Sequence, residues 1–192
     1  MSSNADQPNP PGEPGRITPD SAPAVSGEVA VPSVPPAQIT IRNAKAGDLP
    51  DIVALLTDDM LGRTRESADG QLAQSYVRAF AAIDEDPNNE LLVAFMDGRL
   101  VATLQLTFTP SLSFQGSWRA TIESVRAASD LRGRGIGAVL MSYAIDRARE
   151  RDCGIVQLST NKIRTDARRF YERLGFTASH HGMKLMLERG NG

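Results

Sequence analysis

The sequence predicts one α/β (α+β) domain with a mixed central sheet, preceded by a proline-rich extension. Strand-like and helix-like patterns alternate along residues 38–192 without an internal repeat, which is typical of this fold class. Residues 1–38 contain nine of the twelve prolines and none of the aromatic residues. Because such a segment has little apolar surface to bury, we expect residues 1–37 to be a disordered extension and the domain to begin at residue 38.

The domain begins with a predicted strand and two predicted helices. Residues 38–42 alternate polar and apolar side chains, as a half-buried strand does. Asp48 is the expected N-cap of the first helix, and a second helical pattern covers residues 69–84. Asp97-Gly98 between two apolar runs predicts a two-residue hairpin turn.

Seven strands and four helices are expected in total. Gly154 and Gly175 lie where the last two helices should have their C-caps. The remaining elements are predicted as strands at 91–95, 100–108 and 119–127, a helix at 136–151, a strand at 155–160, a helix at 165–174, and strands at 175–179 and 182–188.

Composition excludes several classes of protein. Residues 38–192 carry a net charge of about +1, which gives no general reason to expect nucleic-acid binding. A single cysteine, Cys153, excludes an internal disulfide framework and a cysteine-rich zinc site. Since no apolar run approaches the roughly 20 residues of a membrane span and the N-terminus has no signal-peptide pattern, we expect a cytoplasmic protein without membrane association.

The most informative segment is a strand that leads through three alternate glycines into an amphipathic helix. Gly133, Gly135 and Gly137 would expose backbone N–H groups at the helix N-terminus, where the helix dipole favours a phosphate. A Walker A sequence is absent. A dinucleotide fingerprint fits the loop, but the next strand ends without the acidic residue that a ribose would need. A glycine-rich turn that serves packing alone is the third interpretation.

A fourth interpretation comes from the pattern Arg132-Gly133-Arg134-Gly135-Ile136-Gly137, which fits R/Q-x-x-G-x-G/A. Here the chain resembles the GNAT superfamily of acyl-CoA-dependent N-acetyltransferases. Residues 165–176 resemble the second signature of that family, with Ala167 and Tyr171 four residues apart before Leu-Gly-Phe. Within the family, residues 157–161, residues 166–171 and Ser179-His180 are most similar to the aminoalkylphosphonate acetyltransferase-like branch.

The resemblance implies a GNAT-like fold with splayed central strands and acetyl-CoA as the co-substrate. It also implies direct transfer of the acetyl group to the primary amine of a small molecule, with no covalent enzyme intermediate and no metal. Arg164 stands where many members carry a cofactor-contacting Asn, and Asn161 is the expected substitute. The expected cofactor-binding residues are Val125, Ala127, Arg132, Gly133, Arg134, Gly135, Ile136, Gly137, Ala138 and Asn161.

Two residues are candidates for moving protons. Tyr171 is the expected general acid, because the phenol and the departing thiolate have similar proton affinities; the alternative is a core aromatic in an i, i+3, i+4, i+7 stripe. Glu123, in the strand before the glycine loop, is the expected base, acting through a water. Its alternatives are a solvated strand residue and a ligand for a cationic substrate.

Other candidate groups have plainer interpretations. His180 and His181 are adjacent, so on a strand they would face opposite sides and could not easily bind one metal ion. Residues 58–66, which contain both Asp and Arg side chains, are the expected wall of the acceptor pocket. We expect a homodimer, with residues 114–118 at the acceptor pocket or the dimer interface. A non-catalytic acetyl-CoA-binding regulatory module is the alternative function.

Overall fold

The computed structural model describes residues 39–58 and 72–187. Strands and helices alternate along these residues, and α3 is a single turn in which Phe114 and Gln115 have positive φ angles. The elements are β1 (Ile39–Asn43), α1 (Leu49–Thr57), α2 (Gln74–Glu85), β2 (Asn89–Met96), β3 (Arg99–Thr109), α3 (Ser113–Gly116), β4 (Trp118–Ala127), α4 (Ile136–Glu150), β5 (Cys153–Leu158) and α5 (Thr165–Arg173).

The five strands form one mixed sheet in the order β1-β2-β3-β4-β5. The first four strands are antiparallel to their neighbours, and β5 runs parallel to β4 because α4 provides the crossover between them. The β2–β3 hairpin is confirmed: Asp97 and Gly98 have φ angles of 51° and 78°, as a type I′ turn requires.

The core lies on the central strands, which α1 and α4 contact. Ile122 of β4 and Leu140 of α4 are completely or almost completely buried, and Ile52 and Leu55 of α1 belong to the same cluster. The pair Glu90–Arg147 fixes α4 to the start of β2: Arg147 Nη2 donates to Glu90 Oε1 at 2.6 Å and Arg147 Nε to Oε2 at 3.1 Å. The carboxylate of Glu90 raises the pKa of Arg147 above its usual value.

The predicted count of seven strands is wrong for the part of the chain that the structure describes. Residues 176–187 have no regular secondary structure, so the strands expected at 175–179 and 182–188 are not formed; Glu188 lies outside the described residues. The apolar alternation of Met183, Leu185 and Leu187 favours a strand locally. A strand also needs a partner to complete its hydrogen bonds, and these three side chains remain exposed.

The described residues form five helices where four were predicted for the chain, because α3 was not predicted. The expected C-cap role of Gly154 is also wrong, since Asp152, with φ 53°, takes the left-handed position after α4. Gly154 lies in β5, where a Cβ would stand 2.3 Å from Ser117 Oγ. Because glycine has no Cβ, the Ser117 side chain can lie close to the backbone of β5 at this position. Gly175, with φ 91°, does follow the end of α5 as predicted.

Candidate active site

The glycine loop joins β4 to α4 and leads directly into the first turn of that helix. Gly133 and Gly135 have φ angles of 79° and 82°, a left-handed conformation that glycine adopts without steric cost. No side chain among the described residues caps α4. Since the first N–H groups of a helix have no intrahelical acceptor, those of Ile136 and Gly137 can bind an anion. Arg132 and Arg134 are exposed beside them.

Two side-chain contacts from distant parts of the sequence hold this loop. The carboxylate of Asp58, at the end of α1, accepts hydrogen bonds from the backbone N–H and hydroxyl of Ser129 at 2.9 and 3.1 Å. Arg99, in the β2–β3 turn region, forms a two-fold hydrogen bond with Asp130 at 2.7 and 3.0 Å. Sequence reasoning did not identify these anchors, because the partners are 71 and 31 residues apart.

Asp58 was expected in the wall of the acceptor pocket. Its carboxylate binds Ser129 of the glycine loop, and its place in an acceptor pocket stays a prediction. The rest of that predicted wall, from Asp59 to Glu66, lies outside the described residues.

Helix α5 brings two aromatic residues to the glycine loop. A Cβ placed on Gly137 would lie 3.5 Å from Cζ of Phe170, so the Phe170 ring packs on the first turn of α4. The next residue, Tyr171, has its ring centroid 5.2 Å from that of Phe170 and 6.1 Å from that of Phe176. The second signature motif therefore lies directly against the first.

Tyr171 lies in a largely apolar environment that keeps its phenol protonated. Burial raises the pKa of Tyr171 above its ordinary value, and the positive charges of Arg126 and Arg164 oppose that rise without cancelling it. Arg126 belongs to β4, so the phenol lies within the electrostatic range of the strand that precedes the glycine loop. The hydroxyl is available as a proton donor at neutral pH.

Strand β4 separates from β5 halfway along its length. The pairing of β4 with β5 ends at Ile122 and Leu158, whereas β4 continues to Ala127 with β3 as its neighbour. At the same point β4 contains a bulge: Glu123 lies opposite Gln105, Arg126 lies opposite Thr103, and Ser124 has φ 52°. The two strands thus diverge where the resemblance implies a gap for the thioester.

The remaining site residues take the following positions. Glu123 is exposed, and Val125 and Ala127 are half-buried beyond the point where β5 ends. The carbonyl of Val125 accepts a hydrogen bond from Arg126 Nη1 at 2.8 Å. Ala138 is buried in the first turn of α4. Asn161 forms a turn after β5, where its side chain accepts a hydrogen bond from the N–H of Ile163 at 3.1 Å.

Cys153 lies outside this cluster, half-buried at the start of β5. Burial raises the pKa of its thiol, so it is a poor nucleophile at neutral pH. Residues 39–58 and 72–187 contain no group of three His, Cys, Asp or Glu side chains arranged to hold a metal ion. None of the helices in those ranges has the length and apolar character of a membrane span.

Comparison with known proteins identifies the family of this chain. The family model for the acetyltransferase (GNAT) family matches residues 51–176. The aminoalkylphosphonate N-acetyltransferase of Salmonella typhimurium is 34% identical over 107 residues, which are 56% of this chain and 69% of that enzyme. The streptothricin acetyltransferase of Streptomyces lavendulae is 32% identical over 129 residues, 66% of this chain and 58% of that enzyme.

A solved structure of a Bacillus halodurans protein, described as a transcriptional regulator, is 56% identical in the aligned region. It superposes with a TM-score of 0.76 and covers 78% of this chain and 99% of its own. This superposition shows that the two proteins share the mixed-sheet fold described above. The chain belongs to the GNAT acetyltransferase family.

Proposed function

We propose that this protein is a cytoplasmic, acetyl-CoA-dependent N-acetyltransferase that acts on the primary amine of a small molecule. One observation carries the proposal: Tyr171, a half-buried phenol whose pKa is raised by burial, lies beside Phe170, which packs on the first turn of α4. An anion-binding turn and a proton donor are the two features that a phosphate-bearing thioester would use. The family match supports the reaction class.

The residues of the glycine loop fit the pyrophosphate of acetyl-CoA. The uncapped N–H groups of Ile136 and Gly137 and the exposed Arg132 and Arg134 all favour a polyanion. Val125 and Ala127 lie where β4 has no β5 neighbour, so their backbone would hold the pantetheine arm. Gly133, Gly135 and Ala138 shape the loop, and Asn161 is the proposed contact from the β5–α5 connection.

Acetyl-CoA supplies an activated acetyl thioester when it is bound. The amine nitrogen forms a C–N bond to the acetyl carbon as the C–S bond breaks, and one proton moves at each end. Tyr171 Oη gives its proton to the departing sulfur. Glu123 accepts the proton that the amine nitrogen loses; because Glu123 is exposed, a water connects the two. No side chain carries the acetyl group, which agrees with the raised pKa of Cys153.

A screen for CoA release tests this function directly. The full chain is incubated with acetyl-CoA and a panel of aminophosphonates, amino acids, polyamines and peptides, and the free thiol and the mass of the product are measured. We expect release with at least one small primary amine and a product heavier by one acetyl group. Binding of acetyl-CoA by calorimetry without release from any amine would contradict the proposal.

The second candidate is a regulatory module that binds acetyl-CoA without turning it over. The description of the Bacillus halodurans relative favours it. Residues 38–192 have a near-neutral net charge, which gives no reason to expect that such a module binds nucleic acid. Its proposed partner is therefore a protein. The proposed homodimer is compatible with both candidates, and light scattering of the full chain tests it.

A further inference from the structure

Two carboxylates border the glycine loop, although the proposed ligand of that loop is an anion. Asp58 accepts hydrogen bonds from the backbone N–H and the hydroxyl of Ser129. Asp130 follows Ser129 in the short 3₁₀ turn that precedes the loop. A carboxylate beside a phosphate site weakens the binding of the phosphate, because like charges repel unless a cation offsets one of them. How these two charges are neutralised therefore affects how well the loop binds an anion.

Arg99 neutralises the carboxylate of Asp130. It is the first residue of β3 and directly follows the Asp97-Gly98 turn. Its Nη1 and Nη2 donate to Oδ2 and Oδ1 of Asp130 at 2.7 and 3.0 Å, so both carboxylate oxygens are held in a bidentate ion pair. The hydrogen bond to Asp130 is the main reason that the pKa of Arg99 is raised, and the charge of Asp58 adds to the effect. Arg99 therefore lies within the electrostatic range of both carboxylates.

Asp130 is also within the electrostatic range of Arg134, an exposed residue of the glycine loop. The backbone N–H of Arg134 donates to the carbonyl of Leu131 at 3.3 Å, so the chain turns back toward the residues that precede the loop. The hydrogen bonds from Arg99 are the main cause of the lowered pKa of Asp130, and the positive charge of Arg134 acts in the same direction. Asp130 thus has two arginines within range and is paired with the one outside the loop.

The Arg99–Asp130 pair is too exposed to be important for folding. The two side chains are 58% and 56% exposed, and an ion pair of this exposure contributes little to stability. The pair nevertheless determines which arginine holds the carboxylate, because its bidentate geometry occupies both oxygens of Asp130. Without Arg99, the carboxylate would attract Arg134, whose charge already acts on it.

We propose that Arg99 is a positioning residue for the binding of acetyl-CoA: it holds the carboxylate of Asp130 and thereby leaves Arg134 to bind the pyrophosphate. This proposal rests on the acetyl-CoA site of the proposed function, and it does not depend on the acceptor or on proton transfer. Arg99 acts through Asp130 and Arg134 and does not itself contact the cofactor. The competing interpretation is that the pair only maintains the shape of the loop, and it predicts the opposite effect of removing the charge of Asp130.

The test measures the Kd of acetyl-CoA by calorimetry at low ionic strength for the full chain and for three variants. Arg99→Gln should raise the Kd about three- to tenfold, because the released carboxylate pairs with Arg134 and adds an uncompensated charge beside the phosphates. Asp130→Asn should leave the Kd unchanged or lower it, because that charge is removed. The double variant that combines Arg99→Gln with Asp130→Asn should return to the wild-type Kd, although it lacks the ion pair altogether.

A pair that only maintains the shape of the loop would give a different pattern. Asp130→Asn would then weaken binding as much as Arg99→Gln does, and the double variant would stay weak. Either of these results overturns the proposal, as does a Kd of Arg99→Gln equal to that of wild type. If Arg99→Gln does not fold, as its melting curve would show, the Kd of Asp130→Asn decides in the same way. Arg99→Lys keeps a cation beside Asp130 and should bind acetyl-CoA nearly as wild type does.

Arg149→Gln is the matched control. Arg149 lies in the last turn of α4 and forms an ion pair with Asp146, and the two side chains are 68% and 58% exposed. This variant removes one positive charge and one exposed ion pair, as Arg99→Gln does, but away from the glycine loop. Its Kd for acetyl-CoA should equal that of wild type. An equal rise of the Kd in Arg149→Gln and Arg99→Gln would mean that net charge alone is responsible, which overturns the proposal.

Turnover measurements separate this proposal from the proposed function. With an amine that the full chain acetylates, Arg99→Gln should raise the KM for acetyl-CoA and leave kcat within about twofold of wild type, because Arg99 does not contact the reacting atoms. If the expected pattern of Kd values is found and no amine is acetylated, the proposed function fails alone. If an amine is acetylated and the Kd values of wild type and Arg99→Gln are equal, this proposal fails alone. Absence of acetyl-CoA binding in wild type contradicts both.

Discussion

The ring of Phe170 packs on Gly137, at the point where the first turn of α4 faces α5. A Cβ on Gly137 would lie 3.5 Å from Phe170 Cζ, which is an ordinary van der Waals distance. A methyl group would therefore fit against the ring. Packing against Phe170 alone does not require glycine at position 137. A loss of acetyl-CoA binding on substitution of Gly137 would therefore indicate that the cofactor lies close to this residue.

Substitution of Gly137 should separate folding from cofactor binding. Gly137→Ala should fold with an unchanged or higher Tm, because alanine favours helices and the contact with Phe170 is tolerated. If a phosphate of acetyl-CoA lies close to the backbone of Gly137, the added methyl group will obstruct it. The Kd of Gly137→Ala for acetyl-CoA should then rise about tenfold, equivalent to about 1.4 kcal/mol of binding free energy. Gly137→Asp adds negative charge at the same place and should abolish binding while the helix dipole keeps the fold stable. Calorimetry and thermal melts measure both properties.

Gln74→Asp provides the control for charge. Gln74 is the exposed first residue of α2, so this substitution also adds a negative charge to a helix N-terminus. It should leave acetyl-CoA affinity unaltered. Unchanged affinity in Gly137→Asp would show that the cofactor binds elsewhere.

Tyr171→Phe tests proton donation to the leaving sulfur. The variant keeps the ring contacts with Phe170 and Phe176 and removes only the hydroxyl. We expect kcat to fall by about 10²–10⁴, the usual contribution of a general acid, with little change in acetyl-CoA affinity. A kcat within about threefold of wild type would assign Tyr171 a packing role, and weaker acetyl-CoA binding with a modest loss of kcat would mean that the hydroxyl orients the sulfur.

The protonation of Tyr171 should be visible in an alkaline titration. Burial disfavours the phenolate, so the folded pKa lies above the unfolded value of about 10. The folded state therefore loses stability as the pH rises above that unfolded value, and kcat should show no alkaline loss from Tyr171 below it. The sequence has three tyrosines, so the difference between the tyrosinate absorbance titrations of wild type and Tyr171→Phe isolates this one. A transition below pH 10 would contradict the prediction.

The half-buried Glu90–Arg147 ion pair should stabilise the fold more than the exposed Glu150–Arg147 ion pair does. Glu90 is 8% exposed, and Glu90→Gln would leave the half-buried guanidinium with a weaker acceptor. We expect a loss of about 1–2 kcal/mol in the free energy of unfolding, measured with urea. Glu150→Gln removes the exposed partner of the same Arg147 and should change stability by about 0.5 kcal/mol or less. Equal losses of unfolding free energy in Glu90→Gln and Glu150→Gln would mean that the burial of Glu90 does not strengthen its ion pair.

Sequence periodicity was sufficient wherever the determining interactions were local. The β2–β3 hairpin followed from Asp97-Gly98, and the start of α4 followed from the alternate glycines that precede it. The contact between Phe170 and Gly137 was not visible in the sequence, but the two signatures that contain them were. The predicted roles of the site residues came from the family resemblance, and the predicted strands and helices came from local sequence patterns.

Long-range partners could not be predicted in the same way. The alternation of Met183 and Leu185 indicated a strand, yet strand formation depends on a partner that no local pattern specifies. The same limit applies to Asp58, whose position beside Ser129 depends on how α1 packs on the sheet.

The bulge at Ser124 determines which sequence changes this part of β4 can tolerate. With two residues opposite Leu104, Glu123 and Arg126 face the same side, although three positions apart they would normally face opposite sides. Deleting one of the two residues opposite Leu104 would restore the regular alternation, so Glu123 and Arg126 would be two positions apart and still on one face. Such a deletion would remove the bulge and its local bend, whereas an exchange of side chains in this stretch would keep them.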